Sequence, residues 1–507
     1  MNGLPMLHNG GMIPLSEIPL LSHDDFALAI KAGLGSGGRL AACFAVPAGG
    51  DEGKVVLYAL LAVYGDGMIT VFGHESGMVF PSLTPELPQM HLFEREIAEQ
   101  FGFEFPGHPW FKPVRFHTSW NPGHDAWKRN TGQHPLVGDI NYFRVKGNEI
   151  HEVGVGPVHA GIIEPGHFRF QCYGEKVLHL EISLGYQHRG IEKLLAGGPL
   201  PQTPMQIETV AGDTTIGHML AHCLAVEGLS GCRVSPRAAS LRAVALELER
   251  LANHVGDIGA LAGDVGFLPT SSYCGRLRGD YLNMTAVLCG SRFGRGLVRP
   301  GGVLFDAEPD IVKSLLAHLS SVKTHTRGAM DLFFNTPSVL ARLEKTGTVH
   351  PKDAYYLGLI GIAGRACGID CDARRHFFID MYKPDEIPAV LEDSGDVYGR
   401  AMVRLRELNH SLDFVPQKLS TLEPGPLRVE IDKPAPESLA VGMAEGWRGT
   451  VTHVAVTDRN GRFSSYKIID PSFFNWSGLA MALRNEQISD FPLCNKSFNL
   501  SYCGFDL

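Results

Sequence analysis

The stretch Leu241-Arg-Ala-Val-Ala-Leu-Glu-Leu-Glu-Arg-Leu-Ala-Asn-His-Val255 decides the fold of the larger part of this chain. Its apolar residues recur three and four positions apart, which is the spacing of one face of an α-helix. The periodicity continues to Ala262. Similar patterns predict helices in three further stretches, 216–229, 310–334 and 396–412. We therefore predict a mainly α-helical domain in the second part of the chain.

The first part of the chain mixes helical and extended patterns. Residues 24–32 are predicted to form a helix, and the apolar runs 40–46 and 55–64 are predicted to form strands. Two further strands are predicted near the other end, at 450–457 and 464–469, joined by the turn Asp458-Arg-Asn-Gly461. The predicted fold class is α+β, with a small α/β domain followed by the helical domain and its small β-hairpins.

Composition excludes several classes of protein. A net charge of -9 argues against a nucleic-acid-binding protein, which needs a basic face. The ten cysteines form no C-x-x-C motif, which argues against a zinc site or an iron–sulfur cluster held by this chain. The longest apolar run, 55–64, is about half of what a helix needs to cross a bilayer. We expect no signal peptide, and membrane association only through partners.

An acidic helix is predicted within His91-Leu-Phe-Glu-Arg-Glu-Ile-Ala-Glu-Gln-Phe-Gly-Phe-Glu-Phe-Pro-Gly-His-Pro109. Apolar residues recur at helical spacing, and Gly102 is expected to end the helix. Its acidic residues are Glu94, Glu96 and Glu99. From the residues alone, the simplest interpretation is an amphipathic helix with a solvated acidic face.

This segment, together with Phe80-Pro-Ser-Leu-Thr-Pro85, resembles the C-type subunit of respiratory complex I. The hallmarks of that family are F-P-S-x-T followed by E-R-E-x-x-x-x-F-G-x-x-F-x-G-H-P. The resemblance implies a domain at 15–118 that docks onto the D-type subunit and does no chemistry. The Gly-, Pro- and His-rich stretch 119–150 is predicted to be a linker.

From residue 151 to 507 the chain resembles the D-type subunit of complex I and the large subunit of [NiFe] hydrogenases. The matching segments are Gly156-Pro-Val-His-Ala160, Leu184-Gly-Tyr-Gln-His-Arg-Gly-Ile-Glu-Lys193 and Glu247-Leu-Glu-Arg-Leu-Ala-Asn-His254. Together the two resemblances identify a fused C–D protein, an arrangement of complex I and of membrane-bound energy-converting hydrogenases.

Hydrogenases hold nickel and iron with four cysteines in R-x-C-G-x-C and D-P-C-x-x-C, because these metals bind soft thiolates. The corresponding positions here are Ala211, Thr214, Ser501 and Gly504, and Cys503 is one residue out of register. The resemblance therefore implies a hydrogenase scaffold that cannot build the metal centre. We expect no metal or other cofactor bound by this chain and no H₂ chemistry.

In the D-type family, the arginine of H-R-G and the histidine of N-H lie beside an iron–sulfur cluster of a neighbouring subunit. The resemblance carries these positions to Arg189 and His254. A cation near a cluster raises its reduction potential, and an imidazole can couple reduction to protonation. The structural alternatives are an ion pair of Arg189 with Glu192 and a hydrogen bond from His254 to a backbone carbonyl.

The same family binds quinone between a tyrosine and a histidine that is backed by an aspartate. The aspartate corresponds to Asp264, but the tyrosine position is Gly212 and the histidine position falls on Ile163. In that family the segment matching Gly156-Pro-Val-His-Ala160 begins a β-hairpin, and this hairpin is longer here. His159 lies at its start, and His167 could reach the same space from the extended hairpin. Asp264, His159 and His167 are therefore the candidate residues for an acceptor, with quinone as one candidate.

A separate pattern is His218 and His222, four residues apart on a predicted helix, with Asp213 just before. Two imidazoles at this spacing can share a metal ion. The alternative is that the histidines serve packing or capping, since no third ligand is visible.

The leading hypothesis is a hydrophilic-arm subunit of a membrane-bound oxidoreductase that passes electrons from a partner's cluster to a quinone-like or unknown acceptor. The partners implied are a complex I B-type iron–sulfur small subunit, other hydrophilic-arm subunits and antiporter-like membrane subunits, and no nucleic acid. The expected location is cytoplasmic, on the inner face of the cell membrane. The rival hypothesis is a non-catalytic scaffold that transmits conformational change to ion-pumping membrane subunits.

Overall fold

The structure, a computed structural model, describes residues 3–47, 54–129, 134–377, 379–383 and 385–507. Its elements mix helices and sheets, as the α+β prediction requires. The strands are β1 Met6–Leu7, β2 Met12–Pro14, β3 Arg39–Pro47, β4 Val55–Val63, β5 Met68–Ser76, β6 Ile150–Val155, β7 His167–Tyr173, β8 Lys176–Ser183, β9 Val298–Arg299, β10 Gly302–Val303, β11 Ser438–Glu445, β12 Thr450–Thr457 and β13 Phe463–Ile469.

The helices cluster in the second part of the chain. They are α1 His23–Gly35, α2 His91–Phe101, α3 Ile191–Leu195, α4 Thr203–Ile207, α5 Thr215–Leu229, α6 Pro236–Asp264, α7 Leu268–Cys289, α8 Pro309–Phe334, α9 Pro337–Leu343, α10 Pro351–Leu357, α11 Gly361–Arg365, α12 Ala373–His376, α13 Val397–Ser420, α14 Ser472–Ala482, α15 Phe491–Phe498 and α16 Tyr502–Asp506. Within the described ranges, no helix is long and apolar enough to span a bilayer.

The N-terminal sheet is antiparallel in the order β1-β5-β4-β3, and α1 and α2 pack against it. The central strands β3 and β4 are buried along almost their whole length, which explains their continuous apolar sequences. Ser22 caps α1 by accepting a hydrogen bond from the Asp25 amide at 3.2 Å. Gly102 ends α2 in the left-handed conformation, with φ of 77°.

The interpretation of α2 as a helix with a solvated acidic face was wrong. Glu94, Glu96 and Glu99 are all buried, with exposed fractions of 0%, 1% and 1%. Glu96 pairs with Arg115 and, at 2.6 Å, with Lys467 on β13. Buried hydrogen-bond and ion-pair partners turn these carboxylates inward, and the pair of Glu96 with Lys467 joins the first domain to the second.

Helix α6 is the axis of the helical domain. Ser235 caps it, Pro236 occupies its first turn, and it packs against α5, α7, α13 and α15. It is buried on most of its faces, so polar residues that the sequence places on its outer side meet other protein groups. Charged residues on α6 therefore need partners in the interior.

The predicted strand pair near the end belongs to a larger sheet. β12 and β13 join β11 and β2 in the order β13-β12-β11-β2, so residues 12–14 of the N-terminal segment pair with 438–440. The hairpin predicted near residue 156 is part of a separate three-stranded sheet, β6-β7-β8. The described residues between α2 and Ile150 contain no helix and no extended strand pairing, in the region predicted as a linker.

Candidate functional site

Four residues occupy the positions where the hydrogenase motifs have cysteines. We call Ala211, Thr214, Ser501 and Gly504 the slot cluster. All four are buried. Their polar side chains already have local partners. Thr214 Oγ1 donates to Asp213 Oδ1 at 3.1 Å, and Ser501 Oγ accepts from the Gly504 amide at 2.9 Å, which caps α16. The hydroxyls therefore stabilise the two loops in which they lie.

A guanidinium joins those two loops. Arg448 binds both carboxylate oxygens of Asp213, at 2.7 and 2.8 Å, and donates to the Asn499 carbonyl at 2.5 Å. Its guanidinium lies 3.8 Å from the Trp447 ring, in cation–π geometry. Burial raises the pKa of Asp213, but Arg448 outweighs this effect and holds that pKa below its ordinary value. The carboxylate is therefore charged and paired.

These residues do not fit a nickel–iron centre. Soft metal ions need thiolates, and the slot cluster offers two hydroxyls, a methyl group and a glycine. Burial raises the pKa of the nearby Cys503 thiol to about 12, so it is not a thiolate at neutral pH. Over the described ranges, no group of three or more His, Cys, Asp or Glu side chains is arranged to hold a metal ion.

Arg189 also spans both loops. Its guanidinium donates to the carbonyls of Thr209 and Val210 on one loop and, at 2.9 Å, to the Cys503 carbonyl on the other. The residue is exposed, and in the described part of the chain no Asp or Glu side chain lies within ion-pair distance of its guanidinium, while its backbone amide donates to the Leu507 oxygen at 2.7 Å. The proposed pair with Glu192 is therefore wrong. Glu192 instead binds Lys467 at 2.9 Å.

His254 lies in a buried charge cluster. Its Nε2 is 2.7 Å from Glu407 Oε2, and the ring is fully enclosed, so the expected carbonyl partner is wrong. Glu407 also binds Arg365 and, at 3.2 Å, Arg374. Burial lowers the pKa of His254 despite the bond to Glu407. His254 Nδ1 is buried without a partner. Arg189 and His254 share no direct contact in the described structure, and proximity of His254 to a partner's cluster stays a prediction.

The candidate acceptor residues lie in two places. His159 and His167 close the β6–β7 hairpin, since His159 Nε2 is 2.8 Å from the Gly166 carbonyl and His167 Nδ1 is 3.3 Å from the Gly156 carbonyl. Burial lowers the pKa of His167. Asp264 is exposed at the end of α6. Among the described residues, no hydrogen bond or ion pair joins it to this hairpin. The structure does not bring Asp264 together with the two histidines through direct contacts.

The hairpin nevertheless reaches the slot cluster. A Cβ on Gly166 would lie 2.6 Å from the Tyr502 ring, so the hairpin passes directly over α16. Glu164 Oε2 also accepts a hydrogen bond from the Tyr502 amide at 3.4 Å. The hairpin therefore packs directly against the segment that carries Ser501 and Gly504.

Glu249 is a site residue that the sequence reasoning missed. Its carboxylate accepts hydrogen bonds from the first amides of α5, Ile216 at 2.7 Å and Gly217 at 3.2 Å. Burial raises its pKa to about 8, and the nearby Asp213 adds to the increase. A carboxyl group that titrates near neutral pH next to the slot cluster can exchange protons there. The helical periodicity of α6 does not indicate that Glu249 contacts the start of α5.

The paired histidines of α5 do not form a metal site. His218 Nε2 is 3.1 Å from Asp470 Oδ2, and its Nδ1 is 3.1 Å from His453 Nε2. His222 Nδ1 is 2.7 Å from the Tyr466 hydroxyl. His453 lies on β12, Tyr466 lies on β13 and Asp470 directly follows β13. No local sequence pattern connects these partners to α5. The two histidines belong to a buried hydrogen-bonded chain.

Both parts of the chain match families of complex I components. Two family models match the chain. Residues 264–438 match the model "Respiratory-chain NADH dehydrogenase, 49 Kd subunit", and residues 34–139 match "Respiratory-chain NADH dehydrogenase, 30 Kd subunit".

The curated relatives are subunits of NADH-quinone oxidoreductases and hydrogenases. The D-type subunit of the NADH-quinone oxidoreductase of Thermus thermophilus is 30% identical over 68% of this chain and 90% of that protein. The carbon monoxide-induced hydrogenase of Rhodospirillum rubrum is 29% identical over 69% of this chain and 97% of that protein. The fused C/D-type subunit of the NADH-quinone oxidoreductase of Bacteroides thetaiotaomicron is 28% identical over 72% of this chain and 74% of that protein.

The chain belongs to the family of the 49 kDa, or D-type, subunits of respiratory-chain NADH dehydrogenase, with a 30 kDa-type domain in front. The relatives are components of oxidoreductase complexes, which confirms the prediction that this chain is a complex I-like and hydrogenase-related subunit.

Proposed function

We propose that this chain is a hydrophilic-arm subunit that receives electrons at Arg189 from an iron–sulfur cluster of a complex I B-type partner. It passes them to a quinone-like acceptor beside the slot cluster and does no H₂ chemistry. The complex would lie on the cytoplasmic face of the membrane, joined to antiporter-like membrane subunits by other subunits. Relatives named as NADH-quinone oxidoreductase subunits support this proposal.

The observation that carries the proposal is the state of Arg189. Its guanidinium donates to four backbone carbonyls and the residue is exposed, so the position of the charge is fixed, while no Asp or Glu side chain of the described chain forms an ion pair with it. A docked cluster would supply single electrons. The fixed cation would stabilise the more negative, reduced form of that cluster and so raise its potential.

In this proposal the acceptor binds where the hairpin contacts α16. His159 and His167 lie on the hairpin, and Glu249 of α6 accepts hydrogen bonds from the first turn of α5, which follows Thr214 of the slot cluster. In this proposal the two imidazoles position the acceptor, and Glu249 exchanges a proton with it, since a pKa of about 8 suits both directions at neutral pH.

The experiment is a redox titration of the purified complex, followed by electron paramagnetic resonance of the cluster. Arg189→Met should lower the reduction potential, because the variant removes the positive charge and keeps an apolar stem of similar length. The matched control is Arg276→Met, an exposed arginine of α7 that pairs with Asp280. An unchanged potential in Arg189→Met would contradict the proposal.

A scaffold function is the second candidate, and one observation favours it. Arg448 and Asp213 form an ion pair between the two slot loops, with Arg448 buried and Asp213 partly exposed, where the resemblance to hydrogenases would place a metal centre. If the scaffold hypothesis is right, the complex assembles with Arg189→Met and its electron transfer to short-chain quinones equals that of the parent.

A further inference from the structure

The buried chain that contains His218 and His222 has five members. It runs Asp470, His218, His453, Tyr466, His222, with successive separations of 3.1, 3.1, 3.0 and 2.7 Å. All five side chains are at most 3% exposed. They come from α5, β12, β13 and the residue that follows β13, so the fold, and no single element, assembles the chain.

With His218 neutral, one arrangement of protons satisfies every link. Asp470 is the charged end, because His218 and Arg448 hold its pKa below the ordinary value despite the opposing effect of burial. His218 Nε2–H then donates to Asp470, and Nδ1 of the neutral ring accepts from His453 Nε2–H. His453 Nδ1 accepts from the Tyr466 hydroxyl, whose oxygen in turn accepts from His222 Nδ1–H. All four donors point the same way.

Burial and neighbouring groups favour the neutral forms of His222, His453 and Tyr466. Burial lowers the pKa of His222 to about 3, with Arg299 adding to the effect, and lowers that of His453 well below its ordinary value, with His218 and His222 adding to it. Burial raises the pKa of Tyr466 well above its ordinary value. A neutral imidazole and a neutral phenol can each accept one proton and release another.

The two ends of the chain reach different places. His222 lines a cavity of about 440 Å³, whose wall includes the exposed residues Leu200 and Leu304, so the cavity opens at the surface. With Nδ1 bound to Tyr466, Nε2 is the ring nitrogen left for this cavity. At the other end, a Cβ on Gly504 would lie 2.7 Å from the Asp470 carboxylate, so Asp470 touches the slot cluster.

We propose that Asp470, His218, His453, Tyr466 and His222 form a proton relay from the surface cavity to the slot cluster. The inference rests on the proposed function, in which an acceptor beside the slot cluster takes up protons as it is reduced. We call these five residues the relay.

Each passage conserves protons. A proton from the cavity binds His222 Nε2, and the Nδ1 proton moves to the Tyr466 oxygen while the original hydroxyl proton moves to His453 Nδ1. The Nε2 proton of His453 then moves to His218 Nδ1, and the Nε2 proton of His218 moves to Asp470 Oδ2. One proton enters, one arrives, and no bond other than N–H and O–H bonds changes. Rotation of the hydroxyl and the rings restores the starting direction.

The first test is ¹⁵N nuclear magnetic resonance of the full chain labelled in histidine. The relay requires three neutral rings, with the proton on Nδ1 of His222 and on Nε2 of both His453 and His218. Resonances are assigned by comparing single His→Asn variants. A charged His453, or a His222 with its proton on Nε2 in the resting state, would break the common direction and overturn the relay.

The second test removes one link. Tyr466→Phe keeps the ring and deletes the only hydroxyl of the relay, so proton uptake should slow by about 100-fold, a typical contribution of a positioned acid–base group. The matched control is Tyr281→Phe, which deletes another buried hydroxyl from a bond of 2.7 Å, to Thr326. The purified complex is mixed with reduced methyl viologen, which carries electrons without protons, and uptake is followed with a pH indicator.

The outcomes separate the two proposals. Slow uptake in Tyr466→Phe with parental uptake in Tyr281→Phe supports the relay. Equal uptake in both variants overturns the relay and leaves the proposed function standing. No proton uptake in the parent contradicts the proposed function and overturns the relay with it. If Tyr466→Phe does not fold, the tautomers of the parent chain decide.

Discussion

At the residue scale, the slot cluster lies in two loops that are joined by hydrogen bonds and an ion pair. Thr214 and Ser501 hold local hydrogen bonds, and Arg448 ties the two loops through Asp213 and the Asn499 carbonyl. The loops therefore keep a defined geometry without any metal ligand.

The first prediction concerns metal content. Because the slot cluster has no thiolate, the purified protein should contain far less than one nickel per chain and should show no H₂ uptake. Elemental analysis after washing with a chelator checks the first statement, and a hydrogen electrode checks the second. The carbon monoxide-induced hydrogenase of Rhodospirillum rubrum is the positive control in both assays. Stoichiometric nickel that survives the wash would refute the prediction.

The second prediction concerns acid stability. Burial raises the pKa of Glu247, but Arg250 and Arg374 outweigh it and lower that pKa from 4.5 to about 2. A carboxyl group whose pKa is lower in the folded state stabilises the fold above its unfolded pKa. That contribution, about 3 kcal/mol, is lost as the pH falls from about 4.5 to about 2.

Urea denaturation at several pH values measures this dependence as the free energy of unfolding. Glu247→Gln should cost about 3–5 kcal/mol at pH 7, since it leaves buried arginines without their charged partner. It should also reduce the loss of stability on acidification. Glu75→Gln, which removes an exposed carboxylate, is the matched control and should change neither quantity. An equally steep acid dependence in Glu247→Gln would show that other groups cause it.

At the element scale, α2 is one of the contacts between the first domain and the second. Its Glu99 carboxylate accepts the amides of Val114, Arg115 and Phe116 at 3.0, 2.7 and 2.8 Å. These bonds fix the backbone where it leaves the first domain, and Arg115 then reaches the Phe505 carbonyl at 2.8 Å. One side chain thus positions the segment that connects the two domains.

The third prediction follows from these three bonds. Glu99→Ala leaves three amides without their acceptor and should destabilise the chain by about 2–5 kcal/mol. Limited proteolysis should cut within residues 119–150 faster than in the parent. The matched control, Glu86→Ala, removes a carboxylate that is 73% exposed and pairs with Lys31, and should change stability by less than about 1 kcal/mol. Equal proteolysis of both variants would show that Glu99 does not hold the connection.

The elements also show which features the sequence could predict. Helix α6 was predicted from its periodicity, but Ser235 and Pro236 extend it beyond the predicted start. Strand β11 was missed, because all its residues are buried and its apolar run has no alternation. The acidic face of α2 was misinterpreted because its partners, such as Lys467, lie far away in sequence.

The candidate site was predictable where a family motif marks it and unpredictable where the fold assembles it. Arg189 stands in such a motif, and its guanidinium binds carbonyls of both loops, a contact that the motif does not itself indicate. His254 also stands in a motif, but the charge cluster that encloses it comes from α11, α12 and α13. Tyr466 and Asp470 carry no local signal, since only the pairing of β12 with β13 and the packing of α5 bring them to the histidines.

At the scale of the whole molecule, the two domains behave as one body. Besides the contacts of α2, the Tyr355 hydroxyl donates to the Leu34 carbonyl and Arg39 donates to the Leu359 carbonyl, both across the domain boundary. The pairing of β2 with β11 adds a shared sheet. The described contacts make the domain interface extensive and largely buried.

The fourth prediction tests this unity. A protease site inserted in the segment 119–150 should allow cleavage into two fragments that still elute together in gel filtration. The ion pair between Glu96 and Lys467 and the β2–β11 pairing do not depend on the continuity of that segment. Separation should require denaturant. Fragments that separate in native buffer would show that the connection itself holds the domains together.

The pairing of β2 with β11 has a consequence for synthesis on the ribosome. Met12-Ile13-Pro14 is made first, but its partner strand begins only at Ser438. At about 5–20 residues per second, the early segment waits about 20 to 85 s for that partner. A strand of three residues that ends in proline, which has no amide hydrogen, offers very little free edge to neighbouring nascent chains during that interval.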